Sequence, residues 1–338
     1  MLRQITPISY FGQREALIDD LWLLLGDKKF KQFHDLFGGC GSLSFAAMRE
    51  DKAQKYIYND SLPMLKFLWD EIKNSASLLI NHYTSLAKTL KNTTDDRASF
   101  YASVLAHFNG ESSDTRFKQY SQPLLFAFLI NFAKDNMPIY DDNKVLATTI
   151  SPCLTNNEIV EQSEQFRCRA IDLSTMLAQH NFTAKSGDFN DHLDDITADD
   201  IVVLDPPYPQ QTRDIYYNIN NEDELFTNLT TALQRLAEKN IPVVMFYGAN
   251  NVLLKNQFNA DNTNLQHLIR LAHHPLFGDY LEHAYLSHDL FKSLDKLPAH
   301  IMTYESSFDT AKEMTDKDCE AAIRRLQNSV EMPETPYL

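Results

Sequence analysis

The sequence predicts an α/β fold with a mostly helical insertion, and three observations carry that prediction. Short apolar runs of strand length alternate with stretches of helical period, without any internal repeat. A cluster of glycines follows the first apolar run, and a doubled proline follows a later one. Between them, residues 73–165 change texture to Asn, Ser and Thr mixed with helical runs. At 338 residues and 43% hydrophobic, the chain can bury one large core and still carry an insertion.

Four strands are expected, at 31–36, 56–59, 201–204 and 243–247, each short and apolar or aromatic. Helices are expected at 42–48 after the first and 62–72 after the second. Another, at 224–239, places Leu225, Leu229, Leu233 and Leu236 on one face ahead of the last strand. Within the insertion, 98–108 and 124–132 read as helical. From about residue 305 the chain is acidic and polar, with a final helix expected at 317–327.

The chain carries 31 basic and 46 acidic residues, a net charge of −15. A surface that grips phosphates is usually basic, so this balance counts against nucleic acid as partner, although a cleft can be basic locally. The insertion, with eight basic and ten acidic residues, is nearer neutral, as a nucleic-acid-facing module would be. A helical packing lobe would show the same composition. No window is apolar enough for a membrane span and residues 1–10 lack the pattern of a secretory signal, so a cytoplasmic protein is expected. Cys40, Cys153, Cys168 and Cys319 include no CxxC pair, and the histidines, His273, His274, His283 and His288 among them, lack helix-face ligand spacing. No metal site is expected.

Of only nine glycines, three fall in Phe37-Gly38-Gly39-Cys40-Gly41. A strand running into a glycine-rich turn and then a helix lets backbone amides approach a ligand, and an acidic residue about twenty positions on can hold ribose hydroxyls. Asp60 has that position. A tight turn with a helix-capping Asp60 would look the same. The turn departs from the GxGxxG pattern, which lowers the case for a nicotinamide or flavin enzyme.

Asp205-Pro206-Pro207-Tyr208 directly follows the apolar strand 201–204. Two prolines make a stiff turn whose carbonyls are free to accept hydrogen bonds. An amine on an aromatic ring is a poor nucleophile because its lone pair is delocalised. If the Asp205 carboxylate and the Pro206 carbonyl each accept one of its N–H bonds, the nitrogen pyramidalises and its lone pair turns towards an electrophilic methyl. Tyr208 offers a face on which an extruded base can stack, a contact worth about 1–3 kcal/mol. The plainer alternative is a strand-ending Asp-Pro turn with a core tyrosine.

Taken together, the glycine turn, Asp60 and the 205–208 tetrapeptide resemble the α-group, Dam-type DNA N6-adenine methyltransferases. The order agrees. Tyr10-Phe11-Gly12-Gln13-Arg14 resembles the family's N-terminal motif, with Arg14 where lysine is usual, and Ser186-Gly187-Asp188-Phe189 resembles its segment on the adenine side of the cofactor. The resemblance implies S-adenosyl-L-methionine as cofactor, lined by Tyr10, Gly12, Arg14, Asp35, Phe37, Gly38, Gly39, Gly41, Asp60, Asp188, Phe189 and Asp205. It implies that Asp205, Pro206, Pro207 and Tyr208 face an extruded adenine of double-stranded DNA, as in site-specific enzymes of restriction–modification. It further implies a Rossmann-like class I methyltransferase core from residues 1–72 and 166–304, a target-recognition domain at 73–165 and an acidic extension at 305–338. The chain departs from the family in Asp135-Asn136-Met137-Pro138-Ile139-Tyr140-Asp141, where Ile139 replaces a DNA-contacting arginine and Asp141 an asparagine. Two other readings stay open at this point: another exocyclic amine or amide as substrate, and a non-catalytic cofactor-binding protein.

Overall fold

The computed structural model describes residues 5–10, 15–93, 96–141, 143, 145–207, 222–249, 263–274 and 278–303, with 321, 323 and 324. These form two compact units, the first holding 5–18 and 29–194, the second 19–28, 195–207 and the described residues from 222 on. The architecture is mixed α/β, as the sequence predicts.

In the first unit, β1 (Phe30–Asp35), β2 (Ala53–Asp60) and β3 (Phe182–Ser186) run parallel in the order β3-β2-β1. Helix α2 (Ser42–Arg49) follows β1 across the glycine turn. Helix α3 (Pro63–Asn92) starts on Pro63, whose missing N–H suits a first helical turn, and runs far past the expected end at 72. Its polar stretch near 73–77 is a kink at Ser75 (φ −147°, ψ 30°), after which Leu79, Ile80, Tyr83, Leu86, Ala87 and Leu90 resume one buried stripe. Helices α4 (Arg97–Phe108) and α5 (Gln122–Phe132) follow as expected. Helix α6 (Asn156–Gln179) was not expected, yet Thr155 and Glu158 form a reciprocal capping box at its start. Tyr83 of α3 stacks on Phe166 of α6 with centroids 3.7 Å apart, so the lobe shares its core with the two long helices. The compositional borders at 72/73 and 165/166 both fall inside helices.

In the second unit, β4 (Ile201–Leu204), β5 (Val243–Ala249), β6 (Leu265–His274), β7 (Gly278–Ser287) and β8 (Ile301–Thr303) take the order β4-β5-β7-β6-β8. Only β4 and β5 are parallel, while β7 lies antiparallel between β5 and β6. Helix α7 (Glu222–Glu238) buries Leu229, Leu233 and Leu236. Helix α8 (His288–Lys292) leaves β7, and most of α1 (Glu15–Leu25) also belongs here. The β6–β7 hairpin was missed because its buried positions include Arg270, Glu282, His267 and His283, which break any apolar alternation. The 317–327 helix lies largely outside the described residues. No described helix is long and apolar enough to cross a membrane.

Candidate active site

Parallel pairing sets Asp35 beside Tyr58 and Asp60 beside Ser186, so the C-terminal ends of β1, β2 and β3 lie at one edge. Ligands of open α/β sheets bind at that edge. The backbone continues the ladder as Gly38 N–H donates to Asn59 O (2.8 Å), and then turns as Gly41 N–H donates to Gly38 O (2.7 Å).

Two side chains of β2 hold the turn. The Tyr58 hydroxyl donates to the Gly39 carbonyl at 2.6 Å, and Asp60 Oδ2 accepts the Gly39 N–H at 2.9 Å. The other Asp60 oxygen accepts the Leu62 N–H at 2.8 Å. Residues two apart on a strand share a face, which is why positions 58 and 60 reach the same loop. Gly39 has φ 50°, and a Cβ there would meet nothing within 4 Å. Gly38 has no such room, since its Cβ would lie 2.2 Å from the Tyr58 ring. Gly41 is the N-cap of α2 and offers no side chain to the first amides of the helix.

Burial pushes the Asp60 carboxyl above its ordinary value, against the two backbone amides that pull it down. Burial also drives Tyr58 well above the usual phenol range, reinforced by the charges of Asp60 and Asp35 and by Tyr10, so it remains a donor. Tyr10 is itself buried. Phe37 and Phe189 face each other with centroids 4.8 Å apart. Phe189 opens a 3-10 turn capped by Asp188, whose carboxylate accepts the Asn190 N–H, and Asp188 is exposed. Asp35 is buried and accepts from the Ser44 hydroxyl at 2.8 Å, so one of its oxygens anchors α2.

Thus Tyr10, Asp35, Phe37, Gly38, Gly39, Gly41, Asp60, Asp188 and Phe189 all belong to the first unit. Gly12 and Arg14 lie outside the described residues. Sequence reasoning missed Tyr58, Asn59 and His192. Asn59 Nδ2 donates to both Leu36 O and Gly187 O (3.2 Å each), tying the ends of β1 and β3, and its place next to Asp60 was the available signal. Burial, with Lys185 nearby, holds the His192 imidazole below the usual histidine range.

In the second unit, Asp205, Pro206 and Pro207 leave the C-terminal end of β4, whose four residues are all buried. Pro206 is buried and Asp205 half-buried, with its Oδ1 shielded from solvent. Upstream, Thr197 donates through both its N–H and its hydroxyl to Asp200 Oδ2, fixing the entry to β4. Tyr208 lies outside the described residues. Among the described residues no group of three or more His, Cys, Asp or Glu is arranged to hold a metal ion.

A search of curated protein sequences gave no match. Among solved structures, the chain is similar to the rRNA methyltransferase aviRa from Streptomyces viridochromogenes, at 12% identity and a TM-score of 0.38, over 86% of this chain and 91% of that one. The family model for D12 class N6 adenine-specific DNA methyltransferases matches residues 10–273. That span runs from Tyr10 through the glycine turn and Asp205 into β6, and the chain belongs to this family of enzymes that methylate adenine N6 in DNA from S-adenosylmethionine.

Proposed function

We propose that the turn 38–41, Asp60, Phe37, Asp188, Phe189 and Tyr10 bind S-adenosylmethionine, and that Asp205-Pro206-Pro207-Tyr208 handles the adenine amine. The observation that carries this reading is Gly39, gripped on both its N–H and its carbonyl by Asp60 and Tyr58 while the space over its Cα is open. That cradle, the uncapped start of α2 and a second lone pair on each Asp60 oxygen fit a ligand with a carboxylate and ribose hydroxyls. When bound, S-adenosylmethionine supplies an electrophilic methyl group. Asp205 and the Pro206 carbonyl accept the two N–H bonds of the amine, which localises its lone pair. The rigid Pro206-Pro207 turn holds these acceptors in place, so rate comes from positioning and polarisation. The surplus proton leaves the amine after transfer. Tyr208 stacks an adenine extruded from double-stranded DNA. Residues 73–165 supply target recognition, and the enzyme works in the cytoplasm.

Single-turnover transfer of labelled methyl to adenine-containing duplexes, beside calorimetry with S-adenosylhomocysteine, tests the assignment. Asp205→Asn presents a donor where an acceptor is required, so transfer should fall on the order of a hundredfold or more with cofactor affinity kept. Near-wild-type transfer by that variant would remove Asp205 from the mechanism.

A further inference from the structure

All nine residues 124–132 of α5 are buried, and one of them is an amide, Asn131. Burying an amide without partners costs about 1–3 kcal/mol, so its bonds are informative. Asn131 Oδ1 accepts the Ser9 backbone N–H at 2.7 Å, while Nδ2 donates to the Tyr83 hydroxyl at 2.9 Å and the Pro7 carbonyl at 3.4 Å. One side chain at the end of a lobe helix therefore fixes the bent segment that leads into Tyr10.

The same helix end is gripped from the other direction. Asn136 Nδ2 donates to the carbonyls of Ile130 and Asn131, at 3.2 and 3.1 Å. Asn136 and its neighbour Asp135 both have left-handed backbones, φ 53° and 57°. Two consecutive side-chain-bearing residues in that region are strained and persist only where the surroundings enforce them. The loop is held further by Lys134 N–H donating to Thr149 O at 2.8 Å.

We propose that Asn131 is a positioning residue that couples the 133–137 loop to the cofactor side of the enzyme, so that duplex DNA on the loop and cofactor at Tyr10 tighten each other's binding. The inference rests on the reading above that Tyr10 lines the cofactor site and the lobe carries DNA. Loop rearrangement moves the last carbonyls of α5 through Asn136. Asn131 moves with them and carries Ser9 and Tyr10. Tyr10 is buried and follows directly on the Ser9 amide that Asn131 holds, so the cofactor-side segment moves with that anchor. Such coupling is reciprocal by linkage.

The test is calorimetric affinity of the full chain for S-adenosylhomocysteine, with and without saturating adenine-containing duplex, in wild type, Asn131→Ala and Asn136→Gly. Glycine accepts the left-handed backbone at 136, so that variant keeps its fold while losing the grip on α5. Wild type should bind S-adenosylhomocysteine about fivefold tighter or more with duplex, and duplex tighter by the same factor with S-adenosylhomocysteine. In both variants the ratio should fall to one while duplex is still bound. A residue serving only stability would lower both affinities or the melting temperature and leave the ratio intact. A wild-type ratio of one, or a wild-type ratio kept in either variant, overturns the inference. Wild type that binds no S-adenosylhomocysteine at all overturns the cofactor reading beneath it as well.

Discussion

A Cβ on Gly38 would sit well inside van der Waals contact distance of the Tyr58 ring, and that same ring carries the hydroxyl that holds Gly39. The two glycines are thus required for different reasons, one by crowding and one by a left-handed backbone over open space. Asp60 adds a pH dependence. Its carboxyl is raised by burial above the ordinary aspartate value, and ribose hydroxyls donate only to an unprotonated acceptor site. Affinity for S-adenosylhomocysteine should therefore weaken as pH falls through this raised value, already above the range of an ordinary aspartate. In Asp60→Asn the affinity should be low and flat across that window, as measured by calorimetry from neutral pH downward. A variant with the wild-type profile would assign the titration elsewhere. The glycine cluster and Asp60 were legible because spacing along the chain encodes a strand, a turn and the next strand end. Tyr58 was not, because its role depends on which strand lies beside β1, and one sequence does not state strand order.

Elements were legible where apolar period was strong and hidden where polar residues do internal work. Strand β4, with four buried apolar residues, matched its expected limits. Helix α6 is polar over most of its surface, and its signals were the capping pair Thr155 and Glu158 and a thin apolar stripe, Ile159, Phe166, Ala170, Leu173 and Leu177. Helix α3 passes its expected end at 72 because the polar residues that follow, which read as a border in composition, form only a kink at Ser75. The lobe's cations also differ once placed. Arg116 lies against Asp114, with Nη2 to Oδ2 at 2.6 Å, whereas Lys134 is exposed on the loop that Asn136 braces. Lys134→Ala should weaken duplex binding and lower its logarithmic salt slope by about one, while Arg116→Ala, whose charge already has a partner, should change that slope less. Fluorescence anisotropy over a salt series reads both. Equal slopes in wild type and Lys134→Ala would move the phosphate contact off this loop.

For the molecule as a whole, acid stability should hinge on a buried charge cluster in the second unit. Arg270 bonds Asp20 and, at 2.7 Å, Glu282, and His300 Nε2 lies 2.5 Å from Asp20 Oδ1. Burial alone would raise Asp20, but the His300 hydrogen bond and the Arg270 charge outweigh it and leave the carboxyl below 3.8. A depressed carboxylate contributes stability that is present above its unfolded value and is lost as pH falls through its folded one. Asp20→Asn should cost about 3–5 kcal/mol near neutral pH, with the gap to wild type narrowing only below the ordinary aspartate range. Denaturant unfolding at several pH values measures this, and a gap that closes already near pH 5 would contradict the lowered carboxyl. A different kind of consequence comes from α3, which continues past its kink at Ser75, and α6, both running through the compositional borders of the lobe. An exchange of lobes between related enzymes that breaks the chain at those borders would sever two helices and the Tyr83–Phe166 stack. Crossovers near Asp96 and Thr155, where one helix begins after a turn and another starts at its cap, would move residues 96–155 as a cassette. Recognition could then be traded between genomes while each recipient keeps both long helices and the core they share.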